Sequence, residues 1–326
     1  MSPASQFLDF EQPIVDLEQE VARLKAEVEG GEVSQVAEFE KQQRKLEKLR
    51  EDVFGNLTPY QRVRLSRHLN RPFALDYIER ISTDFVELHG DRVYGDDPAV
   101  VGGIGKLNNK PVMFVGHQRG RSMEEKVLRN FGMAHPEGNR KALRLFRLAE
   151  KFNLPLVLFI DTQGAFPGDE AEKRGQAEAI ARNILELSGL KTPIISVIIG
   201  EGGSGGALAL GVCDRLLMLE NAIYSVITPE GCASILWGKQ DADNVGEYAK
   251  VAAESLKLTA DALQSNNIVD EVVNEPLGGA HRDHVRAAEL VKQAIEKHLF
   301  EVTSYSEDEL LEGRYQKYRH IGGTTE

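Results

Sequence analysis

Two short, nearly unbroken apolar runs set the pattern of this chain: Leu156–Ile160 (LVLFI) and Ile194–Ile199 (IISVII). Runs of this length, rich in β-branched residues and bounded by turn residues, predict strands buried on both faces. Each stops at a glycine-bearing turn, DTQGAFPG over 161–168 and GEGGSGG over 200–206. A helical pattern follows each turn. The first helix carries Ala171, Ala177, Ala179, Ile180, Ala181, Ile184 and Leu187, and the second opens with Ala207, Leu208, Ala209 and Leu210. Strand, glycine turn and helix in tandem predict a repeated supersecondary unit with two turns rich in backbone N–H groups. Such turns suit a phosphate or a developing oxyanion. The same glycines would equally serve tight turning and close helix packing.

The remaining segments fit an α/β chain around these units. Ile14, Leu17, Val21, Leu24 and Val28 recur at spacings of three and four, the seam of a paired helix. Gly30 and Gly31 interrupt it, and Val36, Phe39, Leu46, Leu49 and Val53 continue on a second helix, so 13–54 predicts a helical hairpin. Residues 58–90 read as a helical lead-in, with a turn at 87–92. Val100–Gly105 and Val112–Gly116 flank Asn108 and Asn109, which predicts a β-hairpin. Strands are expected at 216–219, 222–227 and 268–273, and helices after Thr228, over 241–265 and over 283–298. A polar, partly helical tail covers 303–326.

Composition narrows the function. Net charge is −12, which disfavours nucleic acid and anionic membrane as partners. No apolar run is long enough to span a bilayer and no signal pattern opens the chain, so an intracellular, cytoplasmic protein is expected. Cys213 and Cys232 are too few for a disulfide framework or a zinc site and read as buried thiols. Charge is uneven, however: residues 119–151 hold nine basic and four acidic residues, a local +5. Within them Arg140, Arg144, Arg147 and Lys151 fall along one helical stripe. A solvated face explains such a stripe; so would an acidic ligand or partner.

Several motifs occur together: FLDFE at 7–11, GHQRGR at 116–121, NFGM at 130–133, EGGSGGAL at 201–208, SVITPEGCA at 225–233 and EPLGGAH at 275–281. In these the chain resembles the alpha subunit of bacterial acetyl-CoA carboxylase carboxyltransferase, over nearly its whole length. The resemblance implies a crotonase-like spiral of repeated strand–strand–helix units with an N-terminal helical hairpin. Its division would be 1–70 for the hairpin and lead-in, 71–300 for the carboxyltransferase domain and 301–326 for the tail. It further implies transfer of a carboxyl group from carboxybiotin, held on a biotin carboxyl carrier protein, to the coenzyme A ester acetyl-CoA, giving malonyl-CoA in the first committed step of fatty acid synthesis. The implied partners are a zinc-ribbon beta subunit, in a tetramer of two alpha and two beta chains, and biotin carboxylase. No metal is expected in this chain. The family's alpha-subunit turn supplies backbone N–H donors to the biotin ureido oxygen, and the matching positions are Gly205 and Gly206. Gly164, Ala165, Gly202 and Gly203 are expected to line the site, with Arg119, Arg121, Arg144 and Arg147 as further substrate-binding candidates for coenzyme A phosphates or an acidic carrier. The chain departs from the family's first turn at Gln163, usually proline, and Phe166, usually tyrosine, so no role of a tyrosine hydroxyl carries over.

Three rivals stand beside this reading. An enoyl-CoA hydratase of the same fold would need paired glutamates, for which Glu178 and Glu201 are the candidates. Carboxyl transfer or decarboxylation on another acyl-CoA is nearer. A scaffolding subunit without catalytic groups of its own is the third.

Overall fold

The structure, a computed structural model, describes residues 7–238 and 244–322. Helices α1 (Gln12–Glu29) and α2 (Val36–Gly55) form the expected hairpin, turning through Gly31 at φ +100°. Ile14 and Leu17 of one helix and Leu46 and Phe54 of the other share a small core with Leu57 and Leu65. Then follow α3 (Pro59–Ser66), which opens on a Thr58–Gln61 capping box, and α4 (Ala74–Ile81).

The lead-in is not helical to residue 90 as its sequence predicts. Thr83–Glu87 is strand β1, paired antiparallel with β2 (Val100–Leu107). It lies at the sheet edge and is mostly exposed, so it shows no apolar run. The hairpin of β2 and β3 (Lys110–His117) turns on Asn108 and Asn109, at φ +48° and +62°, the left-handed pair of a type I′ turn.

Helices α5 (Met123–Leu128) and α6 (Pro136–Lys151) lead to β4 (Leu156–Thr162), which lies parallel to β3. Next come α7 (Asp169–Lys173), α8 (Gln176–Gly189), β5 (Ile194–Gly203) and α9 (Ser204–Leu208). The chain continues through β6 (Arg215–Leu219), β7 (Ile223–Ser225), α10 (Pro229–Leu236), α11 (Val245–Ser255), α12 (Ala260–Ser265) and β8 (Glu271–Val273). It closes with α13 (His284–Val302) and α14 (Glu307–His320). The strand expected over 222–227 is therefore only three residues long. Part of the helix expected over 241–265 lies outside the described residues.

Strand order is β1-β2-β3-β4-β5-β6-β8, parallel from β3 onward. Both central strands, β4 and β5, are buried at every residue, which explains their lack of alternation. Strand β5 changes partner along its length: Ile195–Ile198 pair with β6, whereas Glu201–Gly203 pair with β7. Its glycine end thus exchanges β6 for β7 while Gly202 stays paired with Thr162 of β4.

Ionic ties hold the chain ends to this core. Arg314 of α14 is buried, bonding Asp214 at 2.8 and 3.0 Å and the carbonyls of Leu187 and Leu190 at 2.7 Å. Glu11, before α1, accepts from His281 at 3.0 Å and from Arg282 at 3.0 and 3.2 Å. Burial opposes its ionisation, but the bonds from His281, the Leu8 N–H and Arg282 outweigh that and bring its pKa to about 2. Cys213 is buried, whereas Cys232 is only partly so, a second departure from expectation. Among the described residues no helix is long and apolar enough to cross a membrane.

Candidate active site

Because β4 and β5 are parallel neighbours, the turns that follow them leave from the same end of the sheet. Ligands of parallel sheets gather at this end. The turns are in backbone contact. A Cβ on Gly203 would lie 2.1 Å from the Gln163 carbonyl oxygen, and one on Gly206 would lie 2.6 Å from Gly164 C and 2.7 Å from Ala165 N. Gly202 is closed off by the Tyr224 ring, 2.8 Å from its notional Cβ. Gly205 differs: its nearest neighbour would be Ile180 Cδ1 at 3.6 Å, an ordinary contact. The packing account of the glycines therefore holds at Gly202, Gly203 and Gly206, and leaves Gly205 open.

The first turn is fixed locally. Thr162 Oγ1 accepts from the Gly164 N–H at 3.1 Å and donates to the Gly164 carbonyl at 2.7 Å. Phe166 stacks on His135, ring centroids 4.1 Å apart, and its N–H donates to the Ala134 carbonyl at 3.0 Å. The second turn enters α9 through Ser204, at φ +51°. The N–H groups of Gly205 and Gly206 fall in the first turn of that helix, where no intrahelical acceptor exists. Alongside lies an apolar cavity of about 280 Å³ lined by Ser204, Leu208, Tyr224, Val226, Leu256 and Ile268, among others.

Behind the turns lies a buried ionic network. The strand-ending acids Asp161 and Glu201 face each other across β4 and β5. Asp161 Oδ1 accepts from the Glu201 N–H at 3.0 Å and from Arg119 at 3.2 Å. Arg67 donates to Glu201 at 2.9 Å and to Glu230 of α10 at 2.8 Å. Arg119 reaches the other Glu201 oxygen at 3.6 Å. Burial raises the Asp161 pKa, against the pull of Arg119. Nearby, Arg71 pairs with the buried Glu275 at 2.7 and 2.8 Å and donates to the Ile199 carbonyl. Two strand ends are thereby fastened to α3 and α10.

The structure thus brings Gly164, Ala165, Gly202, Gly203, Gly205 and Gly206 together, with Arg119 directly behind them. The other arginines lie elsewhere. Arg121 bonds Asp76 at 2.7 Å and covers the Phe73 ring, while Arg144 and Arg147 sit on α6 beside α8. Glu178 and Glu201 do not converge: Glu201 is held between arginines, and Glu178 lines the crevice of Arg144 and Arg147. Sequence reasoning missed Arg67 and Glu230, although a carboxylate closing a fully apolar strand, as Asp161 and Glu201 do, signals a buried cation nearby.

One further cluster has ligand-like spacing. Side-chain atoms of Glu11, His68 and His281 lie within 4.8 Å of one another. The Arg282 guanidinium already sits on the Glu11 carboxylate. That ion pair supplies a countercharge to Glu11 within the cluster.

Comparison with known proteins matches this architecture. Residues 7–322 match the family model described as acetyl co-enzyme A carboxylase carboxyltransferase-like. The acetyl-coenzyme A carboxylase carboxyl transferase subunit alpha of Geobacter metallireducens is 54% identical over 319 residues, 98% of either chain. That of Alcanivorax borkumensis is 54% identical over 316 residues, 97% of this chain and 96% of the relative. Among solved structures, a Pseudomonas malonate decarboxylase hetero-tetramer in complex with coenzyme A aligns with TM-score 0.57 and 16% identity, covering 74% of this chain and 91% of that one. Transcarboxylase 12S aligns with TM-score 0.54 and 21% identity, covering 69% and 42%. At such identities these structures speak for the crotonase-like fold alone. The full-length family match and the high identity to its curated members go further, and the chain belongs to the acetyl-coenzyme A carboxylase carboxyltransferase family, as an alpha subunit.

Proposed function

We propose that this subunit receives carboxybiotin from its carrier protein and, with a zinc-ribbon beta subunit, passes the carboxyl group to the methyl carbon of acetyl-CoA. The observation that carries this reading is the second turn. It sets the Gly205 and Gly206 N–H groups in the unpaired first turn of α9, a helix whose Ser204 and Leu208 line an apolar cavity of about 280 Å³. A cavity walled by Leu208, Tyr224 and Val226 fits an apolar ring system, and two amide donors fit the polar edge of a cyclic urea.

Carboxybiotin, when bound, supplies the carboxyl group and a ureido oxygen that gains negative charge as that group leaves. Gly205 and Gly206 donate to that oxygen; one preorganised donor of this kind is worth roughly 3–4 kcal/mol of barrier. Gly164, Ala165, Gly202 and Gly203 form the wall against which the donors are set. The Arg119–Asp161–Glu201–Arg67 network keeps that wall from moving as charge develops. A matching turn on the beta subunit would hold the acetyl-CoA enolate, and biotin itself would act as base. In this reading residues 71–300 carry the chemistry, and 1–70 and 301–326 brace it. The working assembly has two alpha and two beta chains and operates in the cytoplasm with biotin carboxylase.

The test is the reverse reaction. Malonyl-CoA consumption that depends on a soluble biotin derivative should appear for the co-purified complex and for neither subunit alone. A well-assembled complex without turnover would refute the proposal.

A further inference from the structure

Five arginines surround one crevice away from the glycine turns. Arg140, Arg144 and Arg147 approach it from α6, Arg182 from α8, and Arg92 from the loop before β2, around a volume of about 480 Å³ whose lining also holds the acids Asp91 and Glu178. Their carboxylate partners are unevenly shared. Arg140 pairs with Asp91 at 2.8 Å, and Glu186 takes both Arg147 at 2.8 Å and Arg182 at 3.0 Å. Among the described residues, Arg92 and Arg144 have no carboxylate within 4.0 Å. Both donate to the carbonyl of His89, at 2.8 and 3.2 Å, and Arg144 also to that of Gly90 at 2.9 Å. Two guanidinium groups thus converge on one carbonyl, and neither is in direct contact with a carboxylate; Asp96 and Asp91 act on Arg144 only from a distance. Burial, and then the charge of Arg92, lower the Arg144 pKa, as expected of a cation crowded by another.

The loop that presents Arg92 is built stiffly. Asp91 Oδ1 accepts the N–H groups of Val93, Tyr94 and Gly95 at 2.8–2.9 Å, and Asp96 accepts that of Gly90 at 2.8 Å. Arg92 itself is held at φ +66°, a conformation a side chain of its size rarely adopts. A basic residue held in a rare backbone conformation beside other cations is a pattern that clusters at ligand-binding sites.

We infer that this crevice is a binding site for the phosphates of a nucleotide, with Arg92 and Arg144 as its principal ligands. A concave site with convergent planar forks suits a compact polyanion better than an extended acidic protein face, and guanidinium forks match phosphate oxygens two at a time. The nucleotide is either the phosphate-bearing end of the coenzyme A ester or a free nucleotide, with the same chemistry of recognition. The inference does not rest on the oxyanion reading, since none of these residues belongs to the glycine turns.

The experiment is calorimetric titration of the full chain at low ionic strength with inorganic pyrophosphate, ADP and coenzyme A in turn. Saturable binding of pyrophosphate is expected, weakened about tenfold or more by Arg92→Gln and again by Arg144→Gln, as for loss of a charged hydrogen bond. Affinity should also fall steeply with added salt. Arg92 is exposed, so its variant should melt with the wild type and carries the test even if Arg144→Gln loosens the loop. Parallel loss of coenzyme A affinity would place the substrate's nucleotide end in the crevice. Weakened ADP and pyrophosphate binding with coenzyme A unchanged would place a free nucleotide there. Unchanged affinities in Arg92→Gln, or no saturable binding of any probe, would overturn the inference.

Discussion

Adding one methyl group to either of two adjacent glycines should have opposite consequences. At Gly206 a Cβ would sit 2.6 Å from Gly164 C, 0.8 Å inside the 3.4 Å at which ordinary contact begins, and 2.7 Å from Ala165 N. Both obstacles are backbone, and Thr162 pins that backbone from the other side, so no side-chain rotation relieves the overlap. The turns must part by several tenths of an ångström. Overpacking of this kind costs about 1–3 kcal/mol, or roughly 2–6 °C in Tm for a chain this large. Displacing preorganised donors on the ångström scale costs on the order of a hundredfold in rate. At Gly205 the nearest atom would be 3.6 Å away, so Gly205→Ala should melt no lower than wild type. The assay pairs thermal melts of both variants with biotin-dependent malonyl-CoA consumption by the assembled complex. A Gly206→Ala enzyme with unchanged Tm and turnover would show that the two turns do not constrain each other.

Other perturbations address the frame. Arg314→Met should lower stability by about 3–5 kcal/mol, because Asp214 is left buried without its cation; a urea midpoint within error of wild type would contradict this. Glu275 is held at a pKa of about 2: burial would raise it, but the Arg71 charge and the hydrogen bonds to Arg71 and to the Ala280 and Asn221 N–H groups prevail. A folded pKa below the unfolded value means that the unfolded state binds more protons, so this contribution is present above about pH 4.5 and lost as pH falls toward 2. Urea titrations across that window should therefore show a shallower pH slope in Glu275→Gln than in wild type, and equal slopes would remove Glu275 from the acid response. Gly205→Val, whose branched side chain would crowd Ile180 and shift the donor turn, should assemble normally yet lose carboxyl transfer by about a hundredfold or more, on the scale of a lost oxyanion donor; full turnover would favour the scaffold reading.

The sequence made the two central units plain because a strand buried on both faces and stopped by glycine needs no tertiary information to be seen. It could not say which glycines face backbone and which face space. That depends on β4 and β5 being neighbours, a relation 40 residues apart in Glu201 and Asp161. Strand β1 was hidden by its edge position, where an exposed ladder leaves no apolar run. The basic stripe of α6 was legible as a stripe, but its members do different things: Arg140 pairs with Asp91, Arg144 anchors two loop carbonyls, and Lys151 lies over the Phe152 ring. Periodicity places side chains on a face and is silent about what the face meets.

The tie between Glu11 and His281 spans 270 positions of chain. At a synthesis rate of roughly 5–20 residues per second, the acid leaves the ribosome about a quarter of a minute to a minute before its partner exists. The helical hairpin, made well before His281, can be tied to it only late. For that interval the hairpin has its own small core with Leu57 and Leu65, but Glu11 lacks the His281 and Arg282 side chains that hold it in the folded chain. Closure of the ionic tie at Glu11 is a late event in the life of the nascent chain.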